Sequence, residues 1–201
     1  MKNFLKKIIY FYWKLNGIKI LSYDINCTGE VKRGLIANIQ KKSNFNTFIE
    51  TGTYLGDTLD FFKNSFINLI SIELSGEYYT KAVDRFKDIK NIKIINGDSG
   101  EKLSEILKTI NEPCLFWLDG HYSSGDTARG EKDTPIYKEI RSILQNNPKN
   151  HTILIDDARL FIGRNDYPWL PKLKKYVDKL SNNNYQMSIN NDIIILTPKN
   201  D

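Results

Sequence analysis

Apolar positions follow two rhythms along this chain. Over residues 4–21, Phe4, Ile8, Phe11, Leu15 and Ile18 recur every three or four positions with Lys6, Lys7 and Lys14 between them, which predicts a basic amphipathic helix. Such a helix packs on the body of the protein or on a second subunit, with an interfacial membrane contact as the alternative. Lys14 breaks the apolar run Ile8–Trp13 and no small-residue cleavage site follows, so neither a signal peptide nor a membrane span is expected.

From residue 46 short apolar runs alternate with longer amphipathic stretches. Strands are expected at Thr47–Glu50, Leu69–Glu73, Ile92–Ile95, Cys114–Asp119 and Thr152–Asp156, with helices near 57–64, 77–87, 100–110, 133–146 and 169–180. This alternation predicts an α/β fold: a doubly wound, mostly parallel sheet with helices on both faces. Two last strands, Tyr185–Ile189 and Ile193–Thr197, are separated only by a polar turn around Asn190–Asn191, and so short a link permits only an antiparallel pair. The chain therefore divides into a segment of residues 1–45 and a body of residues 46–201.

Charge follows the same division. Net charge is +5 overall, but residues 1–45 hold nine basic and two acidic side chains, a local +7, leaving 20 basic and 22 acidic in the body, −2. An anionic partner such as a nucleic acid or a membrane surface thus concerns the N-terminal segment and not the body. The 201 residues, 40% hydrophobic, suffice for a core. Cys27 and Cys114 make neither a disulfide framework nor a CxxC site, so a reduced, cytoplasmic protein is expected, at the inner face of the membrane if the basic helix docks there.

In open parallel sheets ligands bind beyond the carboxyl ends of the strands, and four of the five parallel strands end in acids. The first runs into Glu50-Thr51-Gly52-Thr53-Tyr54-Leu55-Gly56-Asp57-Thr58, whose glycines allow a tight turn and close approach of a ligand. The second ends in Glu73, placed to accept two ribose hydroxyls. The third is followed by Gly97-Asp98-Ser99, able to bind an adenine or to cap the next helix. The fourth ends in Asp119-Gly120-His121-Tyr122 and the fifth in Asp156-Asp157-Ala158-Arg159. Three convergent carboxylates, Asp119, Asp156 and Asp157, are the donor set of a hard cation such as Mg²⁺. His151, beside Lys149 and Asn150, reads as loop.

The order of GxxxG loop, Glu73, Asp98 and terminal hairpin resembles the class I S-adenosylmethionine-dependent methyltransferases over residues 46–197. The resemblance implies a Rossmann-like sheet of seven strands, closed by one antiparallel strand. It also implies that Glu50, Thr51, Gly52, Thr53, Tyr54, Gly56 and Thr58 line the methionine part of S-adenosylmethionine, that Glu73 holds the ribose, and that Asp98 with Ser99 addresses the adenine, Asp119 closing the cofactor site. The commoner motif has a glycine where this chain has Tyr54. The acids after the fourth and fifth strands are similar to those of the metal-dependent O-methyltransferases of the catechol and macrocin types. That likeness implies metal ligation by Asp119, Asp156 and Asp157, with Asp119 and His121 in catalysis and His121 as general base toward a sugar-like hydroxyl. The glycine-punctuated loop after the fourth strand, with Tyr122, Arg129 and Asp133, and Arg159 after the fifth, would contact the acceptor. Two other readings compete. One is an RNA or protein methyltransferase docking through the basic segment, although Asp-Gly-His-Tyr is not the Asn/Asp-Pro-Pro-aromatic tetrad of amino-methylating nucleic-acid enzymes. The other is a cofactor-binding subunit without catalysis.

Overall fold

The computed structural model describes residues 2–24, 27–120, 134–146 and 150–199, with the side chains of 2–8 and 146 excepted. Eight strands form one sheet: β1 (Lys19–Ile20), β2 (Thr47–Thr51), β3 (Asn68–Glu73), β4 (Ile92–Asn96), β5 (Cys114–Leu118), β6 (Thr152–Ile155), β7 (Tyr185–Asn190) and β8 (Ile193–Pro198). Their order is β1-β7-β8-β6-β5-β2-β3-β4. Every pairing is parallel except those of β8, which runs against both β6 and β7. The reversal is made by a two-residue turn, Asn191 (φ 49°) and Asp192 (φ 63°), both in the left-handed conformation that matches strand twist in tight hairpins.

Among the described residues seven α-helices cover the two faces: α1 (Lys2–Leu15), α2 (Gly29–Ser43), α3 (Asp57–Phe62), α4 (Gly76–Phe86), α5 (Ser99–Leu107), α6 (Ile136–Asn146) and α7 (Leu170–Leu180). On one face Ile49, Phe116, Leu118, Ile153 and Ile155 of the sheet pack against Trp13 of α1, Leu103 of α5, Ile140 of α6 and Leu173 of α7. On the other, Phe48, Leu115, Trp117 and Leu154 meet Ile36 of α2, Leu59 and Phe62 of α3, and Phe86 of α4. Strand alternation explains the division, since neighbouring residues of one strand point to opposite faces. The strands β2, β5 and β6 are buried throughout, as parallel strands covered on both sides must be.

Two elements depart from the sequence expectation, and one residue read as loop lies outside the elements as expected but deeply buried. The helix expected over 4–21 ends at Leu15, because Gly17 turns the chain through φ 73° and Lys19–Ile20 then pair with Ser188–Ile189 at the sheet edge. That pair is the eighth strand. Helix α2 was not visible as an apolar stripe, since most of its side chains are polar and Ile36 alone is fully buried. His151, read as loop, is wholly buried at the amino ends of the strands: its Nδ1 accepts from the Cys114 N–H at 3.0 Å, and its ring meets Phe116 edge-on. Among the described residues no helix is long and apolar enough to cross a membrane.

Candidate active site

Strand order places the cleft. From β2 the chain proceeds outward through β3 to β4, then returns to β5 on the other side of β2 and continues to β6. Connections leave β2 and β5 in opposite directions, which opens a crevice beyond their carboxyl ends. Gly52 sits in that crevice with φ 83°, and a Cβ there would lie 2.5 Å from the Asp119 carbonyl oxygen, so no larger residue fits. The two strand ends are tied together: the Asp119 N–H donates to the Thr51 carbonyl and the Gly120 N–H to Thr51 Oγ1, both at 3.1 Å.

The loop after β2 is held by the acid at the end of β3. Glu73 Oε2 accepts from the Tyr54 N–H and Oε1 from the Ser75 N–H, each at 2.8 Å. Each carboxylate oxygen keeps acceptor capacity for a further hydroxyl. Tyr54 stands where the commoner motif has glycine and adopts that glycine's left-handed conformation, φ 48°, at a cost of roughly 1–2 kcal/mol. Its ring rests against Tyr78, with centroids 4.8 Å apart. Gly56 opens α3 with φ 82° against the Phe86 ring, and Thr58 lies half-buried in the first turn of that helix.

Glu50 is the most unusual group of the crevice. It is buried beside Ser71, whose hydroxyl donates to Oε1 at 2.8 Å, and Ser71 Oγ is in turn 2.5 Å from Thr53 Oγ1. Burial pushes the Glu50 carboxyl up to about 8, with Asp119 and Glu73 adding to the shift and the Ser71 hydroxyl opposing it. Among the described residues no basic group pairs with it. After β4, Asp98 caps α5 by accepting from the Gly100 N–H at 2.7 Å, and the buried Ser99 hydroxyl donates to Glu139 of α6 at 2.6 Å. Capping thus claims part of Asp98, and Ser99 is oriented by a residue the sequence did not single out. Thr134, just before α6, accepts from the Ile136 N–H at 3.3 Å.

The far side of the cleft is built from acids and two cations, the largely buried Lys32 and the more exposed Arg159. Lys32, in the first turn of α2, places Nζ 2.6 Å from Asp156 Oδ2 and 3.4 Å from Asp157 Oδ1. Burial alone would lower the affinity of its ammonium for the proton, but Asp156 and Asp157 outweigh it and hold the pKa above its ordinary value. Asp156 is raised from the usual carboxylate range by burial and by Asp157, against the pull of Lys32. Asp157, with φ 57°, accepts both Arg159 nitrogens, at 2.6 and 3.0 Å. Asp192, fully buried in the β7–β8 turn, accepts from the Arg159 N–H at 2.7 Å and also from its guanidinium, while burial pushes the carboxyl up to about 6.

This arrangement bears on two expectations. Asp119, Asp156 and Asp157 do not form a metal site, and no group of three such side chains able to hold an ion occurs among the described residues. The physical reason is that an ammonium and a guanidinium already lie on the Asp156–Asp157 pair, so the donor set does not fit Mg²⁺, which demands near-octahedral oxygen ligation. Arg159, expected to contact an acceptor, spends its guanidinium on Asp157 and Asp192. His121, Tyr122, Arg129 and Asp133 lie outside the described residues. Sequence reading missed Lys32, Ser71, Glu139 and Asp192. Only Ser71 had a signal, a polar residue inside an apolar strand.

No protein-family model matches this chain, and no curated protein matches it. Solved structures do. An O-methyltransferase from Bacillus cereus in complex with SAH superposes with a TM-score of 0.64 at 10% identity, covering 86% of this chain and 82% of that one. The O-methyltransferase TomG from Streptomyces achromogenes, involved in tomaymycin synthesis and complexed with SAM, gives 0.62 at 12% identity over 87% and 82%. SAH-bound PaMTH1, a methyltransferase from Podospora anserina, gives 0.59 at 16% identity over 86% and 80%. The chain has the fold of the class I S-adenosylmethionine-dependent methyltransferases.

Proposed function

We propose that this protein is an S-adenosylmethionine-dependent O-methyltransferase acting on a small polyhydroxylated acceptor, a sugar or sugar-containing metabolite. The observation that carries the reading is Glu50: a buried carboxyl at the switch point of a methyltransferase-type sheet, with a hydroxyl and, among the described residues, no paired cation beside it. A ligand that is itself positively charged meets that group's need. The cofactor supplies a methyl group on a cationic sulfur, a good leaving group. The residues at hand fit it: Glu50 faces the positive methionine end, Glu73 retains acceptors for the ribose hydroxyls, and Gly52 keeps the crevice floor clear.

The protein's remaining task is alignment and proton removal. With the cofactor bound, its methyl group would be supplied to the acceptor hydroxyl, and His121, the residue after Gly120 in the chain, would take that hydroxyl's proton. Asp119 stands one residue before Gly120, near enough to Lys32 and Glu50 to be felt by both.

Calorimetry with S-adenosylmethionine and with its demethylated product tests the cofactor. Binding is expected in the micromolar range, abolished by Gly52→Trp and weakened by about tenfold or more in Glu73→Ala, since two charge-assisted hydrogen bonds are lost. No heat and no thermal shift at millimolar ligand overturns the reading. The acceptor class is tested with methyl-labelled cofactor and a panel of sugar nucleotides, glycosides, total RNA and protein. Label in RNA or protein alone rejects the small-molecule acceptor.

A further inference from the structure

The cation in the acceptor end of the cleft comes from the far end of the sequence. Lys32 belongs to the N-terminal segment, 124 residues before Asp156, yet its ammonium reaches both strand-end carboxylates and its side chain is only 17% exposed. Two circumstances make this more than a surface ion pair. The first turn of a helix is the positive end of its dipole and disfavours a lysine, so position 32 is explained by its partners and not by α2. The partners are also nearly saturated: Asp157 carries Arg159 on both oxygens, and Asp192 takes the same guanidinium from the other side. Asp119, Asp156, Asp157 and Asp192 against Lys32 and Arg159 leave two negative charges there, and a dication would have to displace an ammonium already in contact with two of its ligands.

We propose that Lys32 is the protein's own cation at the acceptor end of the cleft, its ammonium taking the place on Asp156 and Asp157 that a divalent ion would need, so that methyl transfer here proceeds without a metal. The metal exclusion stands on the Lys32 contacts alone; only its meaning for catalysis rests on the proposed methyltransferase activity. Lys32 is thus the electrostatic counterpart of a metal and presents an N–H donor, not a coordination site, to an acceptor hydroxyl.

Binding of Mn²⁺ to the full-length protein, followed by the loss of its free electron paramagnetic resonance signal, tests this. Wild type and Lys32→Arg are expected to bind none up to millimolar Mn²⁺. Lys32→Met should bind on the order of tenfold to a hundredfold more tightly, because a unit positive charge a few ångströms from the ion is removed. The bound fraction should vanish again when Asp156→Asn is added. Micromolar binding by wild type that Asp156→Asn abolishes overturns the proposal. So does a folded Lys32→Met that gains no affinity. Should Lys32→Met fail to melt cooperatively, the wild-type and Lys32→Arg titrations decide alone. Calorimetry with the demethylated cofactor on the same samples separates this result from the methyltransferase reading, since that ligand binds through Glu50 and Glu73 whatever occupies Asp156.

Discussion

At the scale of single residues, the crevice is governed by where charge is left uncompensated. Glu50 is protonated in the folded protein near neutral pH and ionised in the unfolded chain, because burial lifts it from 4.5 to about 8. The folded state therefore binds one more proton between those values, and its stability falls as pH rises through that window. Glu50→Gln should remove that slope, measured by urea unfolding at several pH values; an unchanged slope would sink the assignment. Cofactor binding adds a second signature. A cationic ligand beside Glu50 favours its ionised form, so binding near neutral pH should release about one proton. Calorimetry in buffers of different ionisation enthalpy would show it, and Glu50→Gln would abolish it. Asp156 and Asp192 are also raised, but each has a cation in contact, and this is what distinguishes them from Glu50. From the sequence alone Glu50 and Asp156 looked alike, as strand-end carboxylates, and Asp192 did not stand out; their partners differ because the partners come from elsewhere in the chain.

Among the elements, α1 and β1 are the ones whose role the apolar pattern only half disclosed. The stripe containing Phe11, Leu15 and Ile18 predicts one buried face, yet Phe11 and Leu15 are exposed and Trp13 with Ile18 is buried. Trp13 packs among Tyr10, Tyr23 and Trp169, and Ile18 lies on the sheet. The helix thus turns Tyr10 and Trp13 inward and leaves Phe11 and Tyr12 outside, and the chain past Gly17 becomes an edge strand. Periodicity located a helix there but not which side would find a partner. Trp13→Ala should destabilise the protein by about 3–5 kcal/mol, the usual cost of emptying a large aromatic site. Urea denaturation measures this, and a change within experimental scatter would show that α1 is not part of the core. The loop after β2 was read more fully. Glycines at 52 and 56 and an acid 21 residues after Gly52 are local signals; the spacing reads as ribose binding, and the structure adds that Glu73 accepts from the Tyr54 N–H of that loop.

For the molecule as a whole, the uneven charge now has a narrower meaning. One of the nine basic residues in 1–45, Lys32, faces inward and serves the cleft, while Lys41 and Lys42 are exposed. Filter retention of total RNA should be weak at physiological salt and unaltered by a Lys41→Glu, Lys42→Glu pair; strong retention that the pair removes would restore a nucleic-acid role. Removing residues 1–45 would be a poor test, since Trp13, Ile18 and Ile36 belong to the two cores. The alternation of strands and helices, the antiparallel ending and the acids at strand ends follow from local patterns of period two and period 3.6, which act within a few residues and are written along the chain. The eighth strand, the inward lysine, the Arg159 clamp and the missing metal geometry do not. Each joins residues far apart in sequence, and such contacts exist only once β8 has been inserted between β6 and β7 and α2 has been laid on one face of the sheet with its first turn at the carboxyl ends.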